Sequence, residues 1–269
     1  MERSLHFDDM PSLKAPRFRT FRTVMALILR EMGTTYGRSP GGYIWAILSP
    51  IGAIVMMALA FSLFVHAPSL GTSFILFYAT GFLPFDLFNQ LSAKIGQSIR
   101  YSKPLLKYPG VTWLDAILGR FVLNFLTLLT AFAIVIIGII VAIDHPVTLD
   151  ILPILVGLIL TALIGLGVGM LNCLLTGYFP VWERIWAIIS RPLFLASGVL
   201  FLYENLPAPV QHFLWWNPLL HAISLIRTGF YPTYHATFVS LSYSFGVALG
   251  LILISQVFLR NGYLATMEN

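Results

Sequence analysis

Long apolar runs dominate this sequence and leave few folds open to it. Several runs reach or exceed the roughly 20 residues that a helix needs to cross about 30 Å of hydrocarbon. They are apolar at odd and even positions alike, whereas the strands of a membrane barrel alternate apolar and polar residues. Hydrophobic residues make up 58% of the chain and charged residues only 10%, far from the balance of a soluble domain. The sequence therefore predicts an all-α polytopic membrane protein.

The runs predict six transmembrane helices, at residues 43–66, 72–90, 121–143, 151–178, 192–203 and 238–259. Glu183, Arg184 and Arg191 interrupt the start of the fifth, and residues 181–190 also suit a helix along the cytosolic interface. Residues 204–237 contain four prolines among many aromatic residues. This segment predicts two short re-entrant or interfacial helices between spans five and six.

The distribution of basic residues predicts the orientation, because Lys and Arg favour cytosolic loops. With six spans, fifteen of the sixteen Lys and Arg residues fall on one side, and Arg227 alone falls on the other. Both termini are therefore expected in the cytosol. Residues 1–42, which lack the pattern of a cleavable signal peptide, form a cytosolic tail and interface helix. Residues 43–260 form the transmembrane domain, and residues 261–269 a second cytosolic tail.

Residues 18–36 carry an apolar stripe at steps of three and four, with arginines such as Arg30 outside it. This pattern predicts an amphipathic helix lying on the inner leaflet. Its simplest role is anchoring. The alternative is a specific role in shaping a lateral opening for a lipid-linked substrate.

A basic connection, residues 92–120, follows span two. Its first part repeats apolar residues among basic ones, which predicts a short amphipathic cytosolic helix ending at Pro104. Such a helix can dock into a groove on a partner. The alternative is a solvated loop whose basic residues only fix orientation. The candidate docking residues are Ile95, Ile99, Arg100, Lys103, Pro104, Leu105 and Lys107.

Aromatic residues cluster along span two. Because aromatic side chains in helices usually pack, a core or lipid-facing stripe is the simpler interpretation. The alternative is a channel wall on which sugar rings slide, since a buried hydroxyl without a partner costs on the order of several kcal/mol. Asp86, inside this run, suits either a pairing with a basic neighbour or a substrate contact. The candidate channel residues are Trp45, Tyr78, Phe82, Phe85, Phe88 and Asn89.

A further group of candidates lies between spans five and six. Tryptophans in this position fit the aromatic belt of a membrane interface. Together with the two short helices, the group also fits a gate on the far side of the membrane. Its members are Trp215, Trp216, Asn217, Pro218, His221 and Arg227.

Several chemistries find no support in the sequence. There is no GxxxxGK[ST] loop, so ATP binding of that kind requires another subunit. HExxH and GxSxG motifs are absent, and Cys173 is the only cysteine, which excludes an internal disulfide. We therefore expect no metal or cofactor in the chain, no nucleic-acid partner and no enzymatic activity of its own.

Several motifs, read together, resemble one family. The junction before span one resembles that of type 2 ABC exporter permeases, with Gly41 in place of the usual leucine; its matching residues are Tyr36, Arg38, Ser39, Gly42, Trp45 and Pro50. Residues 81–85, 99–106 and 217–232 resemble the capsular polysaccharide export permeases of Gram-negative bacteria, the KpsM type. Together these motifs cover nearly the whole chain.

This resemblance implies a multi-pass protein of the bacterial inner membrane that exports lipid-linked polysaccharide. It implies a homodimer with two ABC ATPase subunits, which bind ATP and Mg, and a periplasmic co-polymerase partner. It further implies a coupling helix at about residues 92–107 and a far-side gate at about 207–231. The candidate residues for the interface helix and substrate entry are Arg30, Tyr36, Arg38 and Ser39. A permease for O-antigen or teichoic-acid-type polymers would share this architecture. A membrane-embedded transferase that modifies the polymer is the alternative from another class.

Overall fold

The computed structural model describes residues 19–33, 42–64, 67–107, 110–143 and 148–268. Within these ranges the regular structure is entirely helical and no strand occurs, which confirms the all-α class. A 3₁₀ turn lies at Tyr203–Asn205. The α-helices are α1 (Arg19–Glu31), α2 (Gly42–Ser62), α3 (Phe74–Gly96), α4 (Ser98–Leu106), α5 (Trp113–Ala142), α6 (Ile151–Tyr178), α7 (Trp182–Ala196), α8 (Ala208–Leu214), α9 (Pro218–Phe230) and α10 (Leu241–Glu268).

Four of the described helices are long and apolar enough to cross a membrane: Ile44–Ser62 within α2, all of α5, all of α6, and Leu241–Gly262 within α10. They correspond to predicted spans one, three, four and six. The bounds of α6 are those predicted from the sequence. However, α5 begins at Trp113 rather than 121, and α10 continues as a helix where a tail was predicted from residue 261.

Helix α3 corresponds to predicted span two and lies at the centre of the fold, against α2, α5, α6 and α9. It is 23 residues long and continues without a break through Pro84. Polar residues lower its apolar character, and one of them is paired inside the helix: Gln90 Nε2 donates a hydrogen bond of 2.7 Å to Asp86 Oδ2. This contact favours a structural role for Asp86 over contact with substrate.

The predicted fifth span is wrong in its bounds. The sequence predicted a helix over residues 192–203, whereas α7 begins at Trp182 and ends at Ala196. The charged residues that interrupt the apolar run, among them Glu183 and Arg191, are exposed, so the helix tolerates them. Residues 197–202 are not helical, and Gly198 has a φ of +72° that favours glycine. With 15 residues, α7 rises only about 22 Å.

Glycines of α6 allow its neighbours to approach closely. A Cβ built on Gly169 would lie 2.7 Å from Ile95 Cβ of α3, and one built on Gly165 would lie 3.2 Å from Leu91 Cβ. On another face of α6, Gly167 contacts Leu251 of α10. The glycine patch therefore packs helices within one chain, as small residues do in membrane proteins.

The short helix α9 runs antiparallel along the first half of α6. Gly229 near the end of α9 lies against Ile154, and its carbonyl accepts a 2.9 Å hydrogen bond from the backbone N–H of Asp150. Leu219, near the start of α9, shares a buried cluster with Ile164, which is much further along α6. Thus α9 penetrates the helix bundle from the end where α6 begins. Two short helices were predicted here, and α8 and α9 confirm them.

We predict that Gly169→Ala destabilises the protein by about 1–3 kcal/mol, because the added methyl overpacks the contact with Ile95. Gly138→Ala in α5 is the matched control, since a Cβ there meets nothing within 4 Å. The measurement is thermal unfolding of each purified variant in one detergent. Equal unfolding temperatures for the two variants would show that the glycine patch of α6 is not tightly packed.

Candidate functional site

The predicted coupling segment divides into two helices at Gln97. Ile95 ends up in α3 and Ile99 in α4, and both are buried in the core, at 0% and 1% exposure. Both side chains pack into the hydrophobic core and are therefore not available to anchor a partner in this structure. Pro104 lies inside α4, which ends at Leu106 rather than at the proline.

The exposed side of α4 is therefore different from the one predicted. We define the α4 face as Gln97, Arg100, Tyr101, Pro104 and Lys107, which are all exposed and follow a helical spacing. Among the remaining candidates, Lys103 and Leu105 are half-buried at its edge. The α4 face has a net positive charge from its Arg and Lys residues, a composition suited to an acidic groove.

Glu183, at the start of α7, links that helix to the α4 face. Its Oε1 accepts a 2.7 Å hydrogen bond from Gln97 Nε2. Its Oε2 lies 3.6 Å from Arg100 Nη1, and both of these side chains are substantially exposed. An exposed ion pair of this kind contributes little to stability, at most about 1 kcal/mol. Its consequence is positional, since it joins the start of α7 to the corner between α3 and α4.

Beneath α4 lies a buried polar cluster, consisting of Glu31, Lys94, Arg120 and Asn124. Arg120 Nε donates to Glu31 Oε1 at 2.9 Å, and Arg120 Nη1 donates to the Lys94 carbonyl at 2.8 Å. Lys94 Nζ donates to Asn124 Oδ1 at 2.7 Å, while Asn124 Nδ2 donates to the Arg120 carbonyl at 2.7 Å. The Arg120 guanidinium also lies 4.2 Å from the centre of the Tyr101 ring. These contacts tie α1, α3, α4 and α5 together.

Sequence reasoning missed the roles of Glu31 and Arg120. Glu31 is the only acidic residue in α1, and Arg120 lies within α5 rather than in the predicted loop. An acidic residue on the inner face of a basic amphipathic helix was the available signal. Arg30, the candidate in the interface helix, is exposed and lies 5.9 Å from the centre of the Tyr101 ring. Tyr36, Arg38 and Ser39 lie outside the described residues.

We predict that Glu31→Gln destabilises the protein by about 3–5 kcal/mol, because it removes one partner of a buried ion pair. Glu183→Gln is the matched control: it makes the same substitution in an exposed pair and should cost less than about 1 kcal/mol. Thermal unfolding in detergent measures both. If Glu183→Gln were the more destabilising change, the buried pair would not be important to the fold.

The candidate gate residues hold α7, α8 and α9 together. Asn217 caps α9, with Oδ1 accepting 3.0 Å from Leu219 N, and Pro218 occupies the first helical position. Asn217 Nδ2 also donates to the Ala196 carbonyl at the end of α7, at 3.0 Å. Asn217 and Pro218 therefore begin α9, and Asn217 also binds the C-terminal end of α7.

His221 and the two tryptophans form an aromatic cluster against α10. His221 Nε2 lies 2.7 Å from the Trp215 carbonyl, and His221 Nδ1 accepts 3.2 Å from Ser240 N, which identifies Nε2 as the protonated nitrogen. The Trp215 ring stacks on Tyr243 with centroids 4.9 Å apart. Trp216 remains 60% exposed, although its carbonyl accepts 2.7 Å from Tyr243 Oη. Of the two, Trp216 is the one available to a ligand or lipid.

Arg227 pairs with backbone carbonyls of the non-helical turn after α7. It is 1% exposed, and its guanidinium donates to the carbonyls of Gly198 at 2.7 Å, Val199 at 2.9 Å and Phe201 at 3.2 Å. Gly81 of α3 makes room for it, since a Cβ at that position would lie 2.7 Å from Arg227 Nη2. The arginine predicted for the gate is thus a fixed structural group in this structure.

A second contact at this end joins Tyr234 and Glu204. Tyr234 Oη donates to Glu204 Oε1 and Oε2, at 3.1 and 3.2 Å. Burial, and then the neighbouring carboxylate, raise the pKa of the Tyr234 phenol above its usual range. The phenol therefore stays protonated and acts as a donor.

The candidate channel residues divide by burial. Tyr78, Phe85 and Phe88 are at most 5% exposed, and Phe85 meets Phe194 of α7 edge to face at 5.1 Å. These three pack inside the protomer, so the simpler of the two interpretations fits them. Trp45 is 63% exposed on α2, and Phe82 and Asn89 are half-buried. For these three, the channel role remains a prediction.

Comparison with known proteins gives the family. Residues 22–231 match the ABC-2 type transporter family. The chain is 28% identical to the polysialic acid transport protein KpsM of Escherichia coli over 221 residues, covering 82% of this chain and 86% of the relative. It is 27% identical to the capsule polysaccharide export inner-membrane protein BexB of Haemophilus influenzae over 259 residues, with 96% and 97% covered. It is 30% identical to CtrC of Neisseria meningitidis, another capsule polysaccharide export inner-membrane protein, over 215 residues, with 78% and 79% covered. The chain therefore belongs to the ABC-2 type transporter family.

Proposed function

We propose that this chain is the membrane permease subunit of an ABC transporter that exports lipid-linked capsular polysaccharide across the inner membrane. The observation that carries this proposal is the similarity, over most of both chains, to relatives named for capsule polysaccharide export and polysialic acid transport. The family match and the four long apolar helices support the membrane role.

The proposed topology has six crossings, with both termini in the cytosol. Four are α2, α5, α6 and α10, and α3 supplies another because its 23 residues rise about 34 Å. The remaining crossing is α7 extended by residues 197–202, and Arg227 donates hydrogen bonds to three carbonyls of this segment. Helices α8 and α9 re-enter from the far side. Irregular backbone at this depth is tolerated because protein covers it.

The proposed polymer path lies between two copies of the chain. Inside one protomer, the space around α3 is filled by packed side chains, including Phe77, Phe88 and Leu91. In contrast, α7 has no buried residue, and α2 exposes Trp45, Met56 and Leu59. Both helices therefore offer surface to a second protomer, and two copies can enclose a path that one copy cannot.

The α4 face is the proposed contact with the ATPase subunits, which bind ATP and Mg. For coupling, the ATPase must bind two permease arrangements with different affinities, since only differential binding shifts an equilibrium. The buried polar cluster connects α4 to α1 and α5 through side-chain contacts, so a displacement of α4 also displaces the long helix α5. On the far side, the expected partner is a periplasmic co-polymerase.

We predict that Arg100→Glu combined with Lys107→Glu weakens binding of the cognate ATPase by about tenfold or more, through charge repulsion on the α4 face. Arg260→Glu is the control, because it reverses an exposed charge at the cytosolic end of α10 in the proposed topology. Copurification measures association, and surface capsule measures export.

The control variant should bind the ATPase and export capsule as the wild type does. If the double variant also copurifies and exports normally, the α4 face is not the coupling surface. If the wild-type chain with its ATPase exports no capsule in a strain lacking its own permease, the proposed function itself is wrong.

A further inference from the structure

A polar cleft of about 350 Å³ lies between α3, α6 and α7. Unlike the other large grooves, its walls carry amide, indole and charged side chains. They include Asn89, Gln97, Asn172, Trp182, Trp186 and Arg191. By contrast, the groove between α2, α3 and α5 is lined by aliphatic residues such as Ile51, Ile134 and Ile139, which suit a lipid chain.

Two buried N–H groups in the walls of the cleft have no acceptor among the described residues. One is Nδ2 of Asn172, a residue that is only 4% exposed, and the other is Nε1 of Trp186. Asn172 is held in place from its other end, because its Oδ1 accepts a 2.9 Å hydrogen bond from Trp182 Nε1. The amide is thus oriented with its donor unused. Buried donors are nearly always paired in proteins, so two of them in one cleft indicate a ligand that accepts hydrogen bonds.

Helix α7 forms the least buried wall of the cleft. None of its residues is buried, whereas α3 and α6 are extensively buried. Both donors are buried in this structure, so a ligand in the cleft reaches them when α7 is displaced slightly outward. The exposed Glu183 contacts are the polar link that such a displacement would strain.

The composition of the cleft selects an anionic, hydroxylated ligand. Indole rings provide faces for sugar rings, and side-chain amides match hydroxyl groups as donors and acceptors. Arg191 adds a cation for a carboxylate or a phosphate. A purely apolar occupant would leave the Asn172 and Trp186 donors unpaired, which argues against a lipid chain.

We propose that this cleft binds the anionic sugar or sugar-phosphate head of the exported polymer. This inference rests on the proposed function for the identity of the ligand. The residues that form the cleft, however, all belong to a single copy of this chain.

The test is ligand-observed NMR titration of the full-length chain in lipid nanodiscs with three probes. A sialic acid trimer carries carboxylates, glucose 1-phosphate carries a phosphate, and maltotriose is neutral. We expect saturable binding of at least one anionic probe, with maltotriose binding about fivefold more weakly or worse. The stronger of the two anionic probes identifies the source of the charge. Absence of anionic binding, or equal binding of maltotriose, would overturn the proposal.

Two variants locate the binding in the cleft. Trp186→Phe keeps an aromatic ring and removes the N–H, and Arg191→Gln removes the cation; each should weaken the anionic probe about fivefold. Trp113→Phe and Arg260→Gln make the same substitutions outside the cleft and should bind as the wild type does. A purely structural role predicts no loss for Trp186→Phe, because removing an unpaired donor does not destabilise the fold.

Export measurements separate the two proposals. If cleft variants bind the probes and export capsule as the wild type does, the cleft inference is wrong and the proposed function stands. If the wild-type chain binds an anionic probe but its complex with the ATPase exports no capsule, the proposed function is wrong and the site stands.

Discussion

The Arg227 guanidinium satisfies the backbone on which the second half of the fold depends. Inside a bilayer, a chain can leave its helical path only where protein supplies partners for the freed backbone groups. Here one side chain donates to the carbonyls of Gly198, Val199 and Phe201, and Gly81 leaves the space for it. Because these carbonyls are paired, α7 can end at Ala196 and the chain can continue through a non-helical segment to α8 and α9. Arg227 is therefore fixed by three acceptors, and any movement of α9 has to carry the segment after α7 with it.

At the other end of α3, the buried polar cluster compensates charged side chains instead of backbone carbonyls. Four helices meet around Arg120, whose charge is compensated by Glu31 and whose Nη1 donates to the Lys94 carbonyl. Removing either charge leaves the other buried, so the cluster is stable only as a whole. Helix α1 and the α4 face are thereby held to the same point of α5. A force applied to α4 therefore acts on α1 as well, and not only on the residues that connect α4 to α5.

The sequence predicted the long helices well because continuous apolar runs are a local signal. It did not predict where α5 begins, although Thr112 and Asp115 form a capping box immediately before Trp113. It misjudged α7 because exposed charges such as Arg191 were taken as interruptions. For Ile95 and Ile99, the helical stripe was real, but periodicity does not say whether the stripe faces a partner or the core. The buried cluster unites residues as far apart as Glu31 and Arg120, a proximity that one sequence does not contain.

Helix α7 connects these separate regions. Its first turn is tied to the α4 face through Glu183, and its last turn is tied to α9 through Asn217. Between those ends it buries no residue, and one side of it closes the polar cleft. Its backbone hydrogen bonds are internal, so α7 keeps its helical shape although few contacts surround it. The α4 face, the cleft and the start of α9 therefore all contact a single helix, although they lie far apart in the sequence.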